Sequence, residues 1–507
     1  MTKSSALSTV VLLYWLLATG CQSGSETATT LTGEPAITEG EALAKQYCGS
    51  CHLPVSPAML DKTTWHNQVL PAMAPRLGME VWQKTHYYRP ANASISQADW
   101  EKLQAYYETL APDSLAIAST QPSPSNDWAV FSMLKPAQPA VDLATTTMVA
   151  FDSANQQVYS SNETDAGLYR WNSKLTAERL RTLPSPGVQA RFIENKGQPA
   201  HLVLTCIGTM LAVDRSAGEL LELDPNKSNR PTVLGQQLPR PIESTPGDFN
   251  RDGLTDWLVC GFGHDTGGLY LLQHRPNHQF SKQVIRNVAG ATQVITGDFN
   301  HDGWLDFMAL FAHADEGIWL FTNDRQGGFT EHNLLRFPPV YGSTSFQLVD
   351  MNRDGRLDIL YTAGDNSDYS RILKPYHGIY VFLNDGHNQY KQQAFLPLNG
   401  CTKAMAADFD RDGDLDIAAI AFFADLGQSS PQTFTYYEGK SATTFQPHLI
   451  PISQYGRWIC MDVNDWDHDG DPDIVLGNFS RGFLNSPAYH PTFDSHLPLL
   501  VLQNKTR

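Results

Sequence analysis

Apolar positions recur with two different periods along this chain, and the change of period divides it. Between residues 36 and 112 the spacing is helical. Gly40, Leu43, Ala44 and Tyr47 share one face of a helix whose start is marked by Thr38 and Glu41, a T-x-x-E capping box. A second helix is predicted from Ser96, with Asp99 in its first turn and Trp100, Leu103, Tyr107 and Leu110 on its inner face. Pro112 ends it. From residue 127 onward, short apolar runs separated by polar turns predict strands instead. Gln293–Thr296 and Phe307–Leu310 flank one such turn, and Ile474–Phe479 and Leu497–Leu502 are the last runs. Between the two regimes, residues 113–126 hold Ser114, Ser119, Pro122, Ser123, Pro124 and Ser125 without any period, which predicts a semi-extended linker. Ahead of everything lies Leu7–Leu17, an apolar run behind Lys3. It has the length of a signal-peptide core and is short for a membrane span.

The strand region repeats itself. Five acidic loops align: Asp248, Asn250, Asp252, Gly253, Asp256; then Asp298, Asn300, Asp302, Gly303, Asp306; then Asp350, Asn352, Asp354, Gly355, Asp358. The fourth is Asp408, Asp410, Asp412, Gly413, Asp416, and the fifth Asp465, Asp467, Asp469, Gly470, Asp473. Their first positions stand 50, 52, 58 and 57 residues apart, the length of a four-stranded propeller blade with its loops. Two weaker copies precede them, Thr147–Trp171 and Gln189–Asp224. Their turns, at Asp152–Asn155 and Asn195–Gln198, lack the acid set, and no metal is expected there. Seven blades result. The last is one strand short, and Trp128–Leu134 is placed to supply that strand, joining chain start to chain end and removing open edges.

In each acidic loop, oxygens at positions 1, 3 and 5 project to one point, glycine at 6 permits the turn, and the aspartate at 9 closes a cage for a hard cation. No glutamate stands at position 12 and no helix flanks the loop, so this is not an EF-hand. One such loop alone could be a metal-free Asx-rich turn. Five in register point to calcium, up to five ions, in a structural role. The loops resemble the FG-GAP repeats of integrin-like propellers and the related VCBS repeats, over about Pro241 to Phe479. The resemblance departs at Gly261-Phe262-Gly263, which matches the name-giving residues only loosely.

The helical region carries a different chemistry. Cys48, Gly49, Ser50, Cys51 and His52 form the attachment sequence of a c-type haem. Two thiols spaced by two residues can each bond one vinyl group, and the histidine that follows supplies an axial nitrogen. A bare C-x-x-C could be redox-active or half a zinc site, but the added histidine and the lack of a nearby second cysteine pair argue against both. Candidate sixth ligands are Met59, His66, Met73, Met79 and His86. Met73 leads, because the prolines of Val69–Gly78 are expected to hold a loop, and that stretch looks like the methionine loop of cytochromes fused to repeat propellers. Met79, a histidine or an open site are the alternatives. The two helices, with a small glycine where they would cross, resemble the class I cytochrome c domain. Together the resemblances imply a small all-α cytochrome domain followed by an all-β, seven-bladed propeller.

Composition adds compartment and partners. A chain of 507 residues exceeds one ordinary core, and a net charge of −17 argues against nucleic acid as a partner. Residues 1–20 are expected to be a signal peptide ending at Cys21 in a sequence that resembles a bacterial lipobox, with plain cleavage as the alternative. Residues 21–35 would be a flexible tether, 36–112 the haem domain, 113–126 the linker and 127–507 the propeller. The protein is then expected at the bacterial cell envelope, held to a membrane by lipid, on the periplasmic or outward side. Cys206, Cys260, Cys401 and Cys460 remain, and buried free thiols are expected over a Cys401–Cys460 bridge. The leading functional expectation is single-electron transfer with a redox partner protein or a small-molecule donor or acceptor. In it the propeller is scaffold or docking platform. Two others stand beside it: a propeller enzyme, an oxidoreductase acting on sugar or polysaccharide with the haem as electron outlet, and a binding or adhesion module. No dinucleotide glycine fingerprint and no convincing nucleophile–base set supports an enzyme.

Overall fold

The computed structural model describes residues 34–83, 86–88, 92–116, 122–137, 141–193, 201–276, 279–313, 315–367, 372–428, 430–482 and 492–506. Residues 1–33, with Cys21, lie outside that set, as does the turn Asn195–Gln198. Seven four-stranded antiparallel sheets form a propeller. Blade 1 runs from Thr146 to Thr182, blade 2 from Gly187 to Pro239, blade 3 from Pro241 to Arg286 and blade 4 from Ala291 to Arg336. Blade 5 runs from Ser343 to Pro397, blade 6 from Lys403 to His448, and blade 7 from Trp458 to Asn504. The first strand of each blade is innermost, packed against the first strands of its neighbours. Second strands such as Asp306–Phe311 and Asp358–Ala363 are buried at every residue, because blades cover both of their faces. That is why they read as unbroken apolar runs. Outer strands such as Phe329–Arg336 face water and carry Thr330, Glu331, His332 and Asn333.

Each seam between blades is closed by the same device, a side chain of one inner strand bonded to the backbone of the next. Thr147 Oγ1 donates to the Gly187 carbonyl (2.6 Å), and Gln189 Oε1 accepts from the Ser244 N–H (2.8 Å). Thr245 Oγ1 donates to the Val294 carbonyl (3.2 Å), and Gln293 Oε1 accepts from Phe346 (2.9 Å). Gln347 Oε1 accepts from Ala406 (2.7 Å), and Lys403 Nζ donates to the Met461 carbonyl (2.9 Å). The ring closes where Asp462 Oδ2 accepts from Phe151 (2.9 Å). Around the channel, buried backbone groups thereby find partners outside their own sheets.

Blade 7 takes its outer strand from the start of the propeller, as its sequence deficit suggested. Phe131–Leu134 pairs antiparallel with Leu499–Asn504, Phe131 opposite Asn504. The Phe131 ring, 4% exposed, packs edge-on against Phe409 (5.6 Å) and Tyr436 (5.3 Å) of blade 6.

The helical unit differs from its expected outline in four ways. Its first helix is Glu34–Tyr47, starting four residues before the Thr38 box; Pro35 is compatible with a first turn, where no N–H is needed. The stretch around Met73 is not a loop: Leu70–Met73 is helical and Ala74–Leu77 continues as a 3-10 turn. Residues 62–77 are one continuous helical run of changing pitch, with a π turn at Trp65–Val69 just before Pro71 and a 3-10 turn at Ala74–Leu77 around Pro75, so each proline falls where the pitch changes. Leu110 is 46% exposed, and Tyr106 takes its place in the core. The unit is not purely α either, since Val81–Gln83 and His86–Tyr88 form a hairpin. The last helix, Gln97–Leu110, starts at Ser96 as expected, with Ser96 Oγ accepting from the Asp99 N–H (3.1 Å). It crosses the first helix at Gly40, where an added Cβ would lie 2.5 Å from Tyr106 Cβ and 2.7 Å from the Lys102 carbonyl oxygen.

This unit rests on the propeller. Val340 and Ile372 of the propeller pack against the helical core, and Tyr376 Oη donates to the Met59 carbonyl (2.9 Å). Arg76 forms an ion pair with Asp265. All four propeller residues lie in connections opposite the acidic loops, so the helical unit and the acids occupy opposite faces. The linker is not a free spacer. Ser125 bridges in parallel to His448, with Ser125 N–H donating to Pro447 (3.1 Å) and Leu449 N–H to Ser125 (2.7 Å).

Removing the closing aromatic tests the ring. Phe131→Ala should lower the unfolding free energy by about 3–5 kcal/mol in urea denaturation; a loss within error of zero would show that blade 7 does not depend on this strand.

Candidate functional site

The five acidic loops share one backbone. Position 4, occupied by Arg251, His301, Arg353, Arg411 and His468, is left-handed in every copy, with φ between 58° and 63°. The glycine at 6 is left-handed too, from 80° at Gly253 to 101° at Gly413. An L-residue at position 4 pays a conformational cost that the loop's hydrogen bonds must offset.

Much of that offset comes from the aspartate at position 9. Asp256, Asp306, Asp358, Asp416 and Asp473 are fully buried. One oxygen of each accepts a backbone N–H at the end of the blade's third strand: His274, Asn323, Asn384 and Asn504 at 2.8 Å, Gly439 at 2.7 Å. In copies two to five the other oxygen accepts from position 2, from Phe299 (3.1 Å), Met351 (2.9 Å), Phe409 (2.9 Å) and Trp466 (3.1 Å). The sequence reading gave this residue only the task of closing a cage. Its main observed role is to pin the loop to the sheet. Burial pushes the Asp416 carboxyl up to about 6 and that of Asp473 up to about 7.

The remaining acids divide the loops into two groups. In copies one to three, with asparagine at position 3, the polar atoms satisfy one another. Asp248 accepts from the N–H groups of Asp252 (3.1 Å) and Gly253 (3.0 Å), while Asn250 Nδ2 donates to Asp252 (3.0 Å). Asp298, Asn300 and Asp302 repeat this, as do Asp350, Asn352 and Asp354. Arginines then approach position 5: Arg325 bonds Asp302 (2.7 Å) and Arg356 bonds Asp354.

Copies four and five, with aspartate at position 3, are different. Among the described residues, Asp408, Asp410 and Asp416 bring ligand atoms within 4.8 Å of one another, and so do Asp465, Asp467 and Asp473. Oδ1 of Asp408, of Asp465 and of Asp467 is buried without a hydrogen-bond partner. Asp471, at position 7 and absent from the sequence-level site, is fully buried with neither oxygen partnered. Burial and the neighbouring Asp469 push its carboxyl up to about 6. Carboxylates so placed are unfavourable alone and are satisfied by a cation. Asp412 and Asp469 at position 5 accept the N–H groups of Asp414 (2.8 Å) and Asp471 (3.3 Å). Asp152, in the weaker first copy, instead has both oxygens bonded by Asn155 (3.1 and 2.9 Å).

Cys48, Cys51 and His52 lie together where the first helix ends. Cys48–Ser50 is a 3-10 turn, and the N–H groups of Cys51 and His52 both reach the Cys48 carbonyl (3.3 and 3.4 Å). Both thiols are free, Cys48 half-buried and Cys51 exposed. His52 Nδ1 stands 2.8 Å from the Leu53 carbonyl. A carbonyl can only accept, so Nδ1 carries the proton and Nε2 the lone pair that an iron needs. This donor set fits a covalently held haem. Met73 is half-buried and stands apart from the apolar cluster of the helical unit. Met79 (8% exposed) lies within that cluster and Met59 packs against it. His66 bonds Glu108 (2.6 Å), and the side chain of His86 is outside the described set. Cys206, Cys260 and Cys401 are buried and free, and Cys460, part-buried, is free as well.

Residues 248–309 and again 298–361 match the profile of the FG-GAP-like repeat. The chain carries FG-GAP-like repeats. In this chain they form the middle of a seven-bladed propeller. No curated protein sequence matches. Among solved structures, a virginiamycin B lyase from Staphylococcus aureus is 10% identical, with a TM-score of 0.45, covering 73% of this chain and 98% of its own. A luciferin-regenerating enzyme is 11% identical, with a TM-score of 0.35, covering 57% of this chain and 88% of its own. Overlaps at this level say nothing about what the chain binds.

The two roles of the FG-GAP-like loop separate experimentally. Asp358→Ala should cost about 3 kcal/mol or more in urea denaturation, since two buried N–H groups lose their acceptor, and the loss should persist in excess chelator. A loss that vanished in chelator would make position 9 a ligand and nothing else.

Proposed function

We propose that this protein is an exported electron carrier, a c-type cytochrome unit mounted on a propeller scaffold. The observation that carries the reading is the turn at Cys48, Cys51 and His52, with the imidazole tautomer fixed by Leu53. Cys48 and Cys51 would hold the haem by two thioether links, and His52 Nε2 and the Met73 thioether would ligate its iron. A haem held there supplies a one-electron couple, whose potential a methionine ligand raises relative to a second histidine. The chain's own contribution is to fix the imidazole and to exclude water with the Trp65, Trp100 and Tyr107 core. It also leaves Cys51 at the surface, where it meets solvent. A redox partner protein or a small-molecule donor or acceptor would exchange electrons there. Met73 is preferred because its thioether is not already packed into the apolar cluster, as that of Met79 is.

The propeller is the scaffold, and calcium its brace. Copies four and five, with converging carboxylates and orphaned oxygens, are the sites of choice. Copies one to three are largely satisfied without an ion. Lipid attachment at Cys21 would keep the assembly at the bacterial cell envelope, on the periplasmic or outward face. Among the described residues no helix is long and apolar enough to cross a membrane.

Three outcomes follow from this reading. Protein made in a cytochrome-maturing host should carry covalent haem, and Cys48→Ser with Cys51→Ser should abolish it; colourless wild-type protein would end the electron-carrier reading. Met73→Ala should remove the near-infrared methionine-to-iron band and Met79→Ala should keep it. Calcium at a hundredfold excess over its Kd should stabilise the propeller by about 2.7 kcal/mol per site. Asp467→Asn should lose one site's share of that gain, while an unchanged melting curve on chelation would remove calcium from the account.

A further inference from the structure

Beside the seat of the helical unit, on the face away from the acidic loops, lies a cavity of about 210 Å³ between blades 5 and 6 and the linker. Pro122 and Pro124 of the linker form one wall, held there by the pairing of Ser125 with blade 6. Two buried polar groups line it without a hydrogen-bond partner: His377 Nε2 and Thr435 Oγ1, both residues 2% exposed. Burial and the nearby Lys374 charge hold the imidazole well below its usual range, so His377 is neutral. Leaving such groups unpaired is costly, which marks the cavity as built for an occupant.

The chemistry of the lining selects among occupants. Among the described residues that line it, Lys374 is the one charged side chain and none is a carboxylate. Its other polar side chains include a neutral imidazole, a hydroxyl and the amides of Asn399, Gln428 and Gln432. Each of these can both donate and accept. Hydroxyl groups have the same dual character, whereas an inorganic anion only accepts. Five prolines supply flat, rigid, apolar surface for the C–H face of a ring. The volume is below that of a drug-sized pocket and suits one small ring.

We infer that this cavity binds a neutral polyhydroxylated ligand of monosaccharide size, with His377 and Thr435 as its central hydrogen-bond partners. The site stands independently of the haem. Its neighbourhood gives it a second meaning, because the segment bearing Lys374 and His377 also carries Ile372 and Tyr376, which touch the helical unit. An occupant would therefore fasten together the linker, blades 5 and 6 and the seat of the helices.

Calorimetric titration of the full-length protein tests this, with glucose, galactose, mannose and N-acetylglucosamine as probes and glucuronate and inorganic phosphate beside them. At least one neutral sugar should bind with one-to-one stoichiometry. Thr435→Val should weaken it about tenfold or more, and His377→Phe likewise. Because the Thr435 hydroxyl has no partner in the protein, Thr435→Val should keep or raise the melting temperature of the free protein. That separates lost binding from lost folding. Failure of every neutral sugar to bind, binding undiminished in Thr435→Val, or binding of phosphate alone would each overturn the assignment.

Discussion

A carboxylate taken wholly out of water must find its hydrogen bonds inside the protein, and in five of the seven blades one aspartate is placed under that constraint. One oxygen reaches the far end of the third strand and, in four of the copies, the other holds position 2 of the loop, so the loop becomes part of the sheet and not an appendage of it. Everything else about the loop follows from this fixed point. With position 9 pinned and position 6 turned by glycine, positions 1, 3 and 5 have little freedom left. Whether they then need an ion depends on one residue: asparagine at position 3 donates to position 5 and relieves it, while aspartate cannot.

How much of this was legible beforehand depended on the kind of signal. The blade count, the missing strand and its donor could be read because acidic loops and apolar runs recur at fixed intervals, and closure requires four strands per sheet. The start of the final helix was legible in Ser96, whose cap has a local signature. The function of position 9 was not, since its partners lie 17 to 31 residues further along and nothing in the loop announces them. The helical fold around Met73 was missed for a related reason. Pro71 and Pro75 read as breakers unless it is known that the helical pitch changes beside each of them. Asp471 looked like an extra acid in an acidic loop, and only its complete burial gives it meaning. The cavity at His377 was invisible in the sequence, because its lining is gathered from the linker and from several separate stretches of blades 5 and 6.

The seven seams around the channel show a different economy. Threonine, glutamine, lysine and aspartate all perform one task, bonding the neighbouring inner strand. Any side chain with a donor or acceptor at the right reach will serve, which is why no single residue recurs at all seven seams although glutamine serves at three of them and threonine at two. The acidic loops are the opposite case: their chemistry admits few substitutes, so their sequence repeats visibly.

The most acidic loops are not placed at random round the ring. They belong to blades 6 and 7, next to the point where the two ends of the propeller meet. Asn504, in the strand that receives Phe131–Leu134, donates its backbone N–H to Asp473 and its side-chain amide to the Phe409 carbonyl (both 2.8 Å). Gln503 bonds Asp467, and Arg411 of the fourth loop reaches the Asp469 carbonyl of the fifth (3.1 Å). The strand that receives the closing one is thus bolted to the two loops that gather the most carboxylate. A propeller without covalent closure is weakest at that joint, since its last sheet is held by a strand from the other end of the chain. The carboxylates that converge in the fourth loop all belong to blade 6 and those in the fifth all to blade 7, so each set would hold a cation within one blade. A cation in the fifth loop would therefore brace the blade that contains the joint, while blades 3 to 6 each draw all four strands from one continuous stretch of chain.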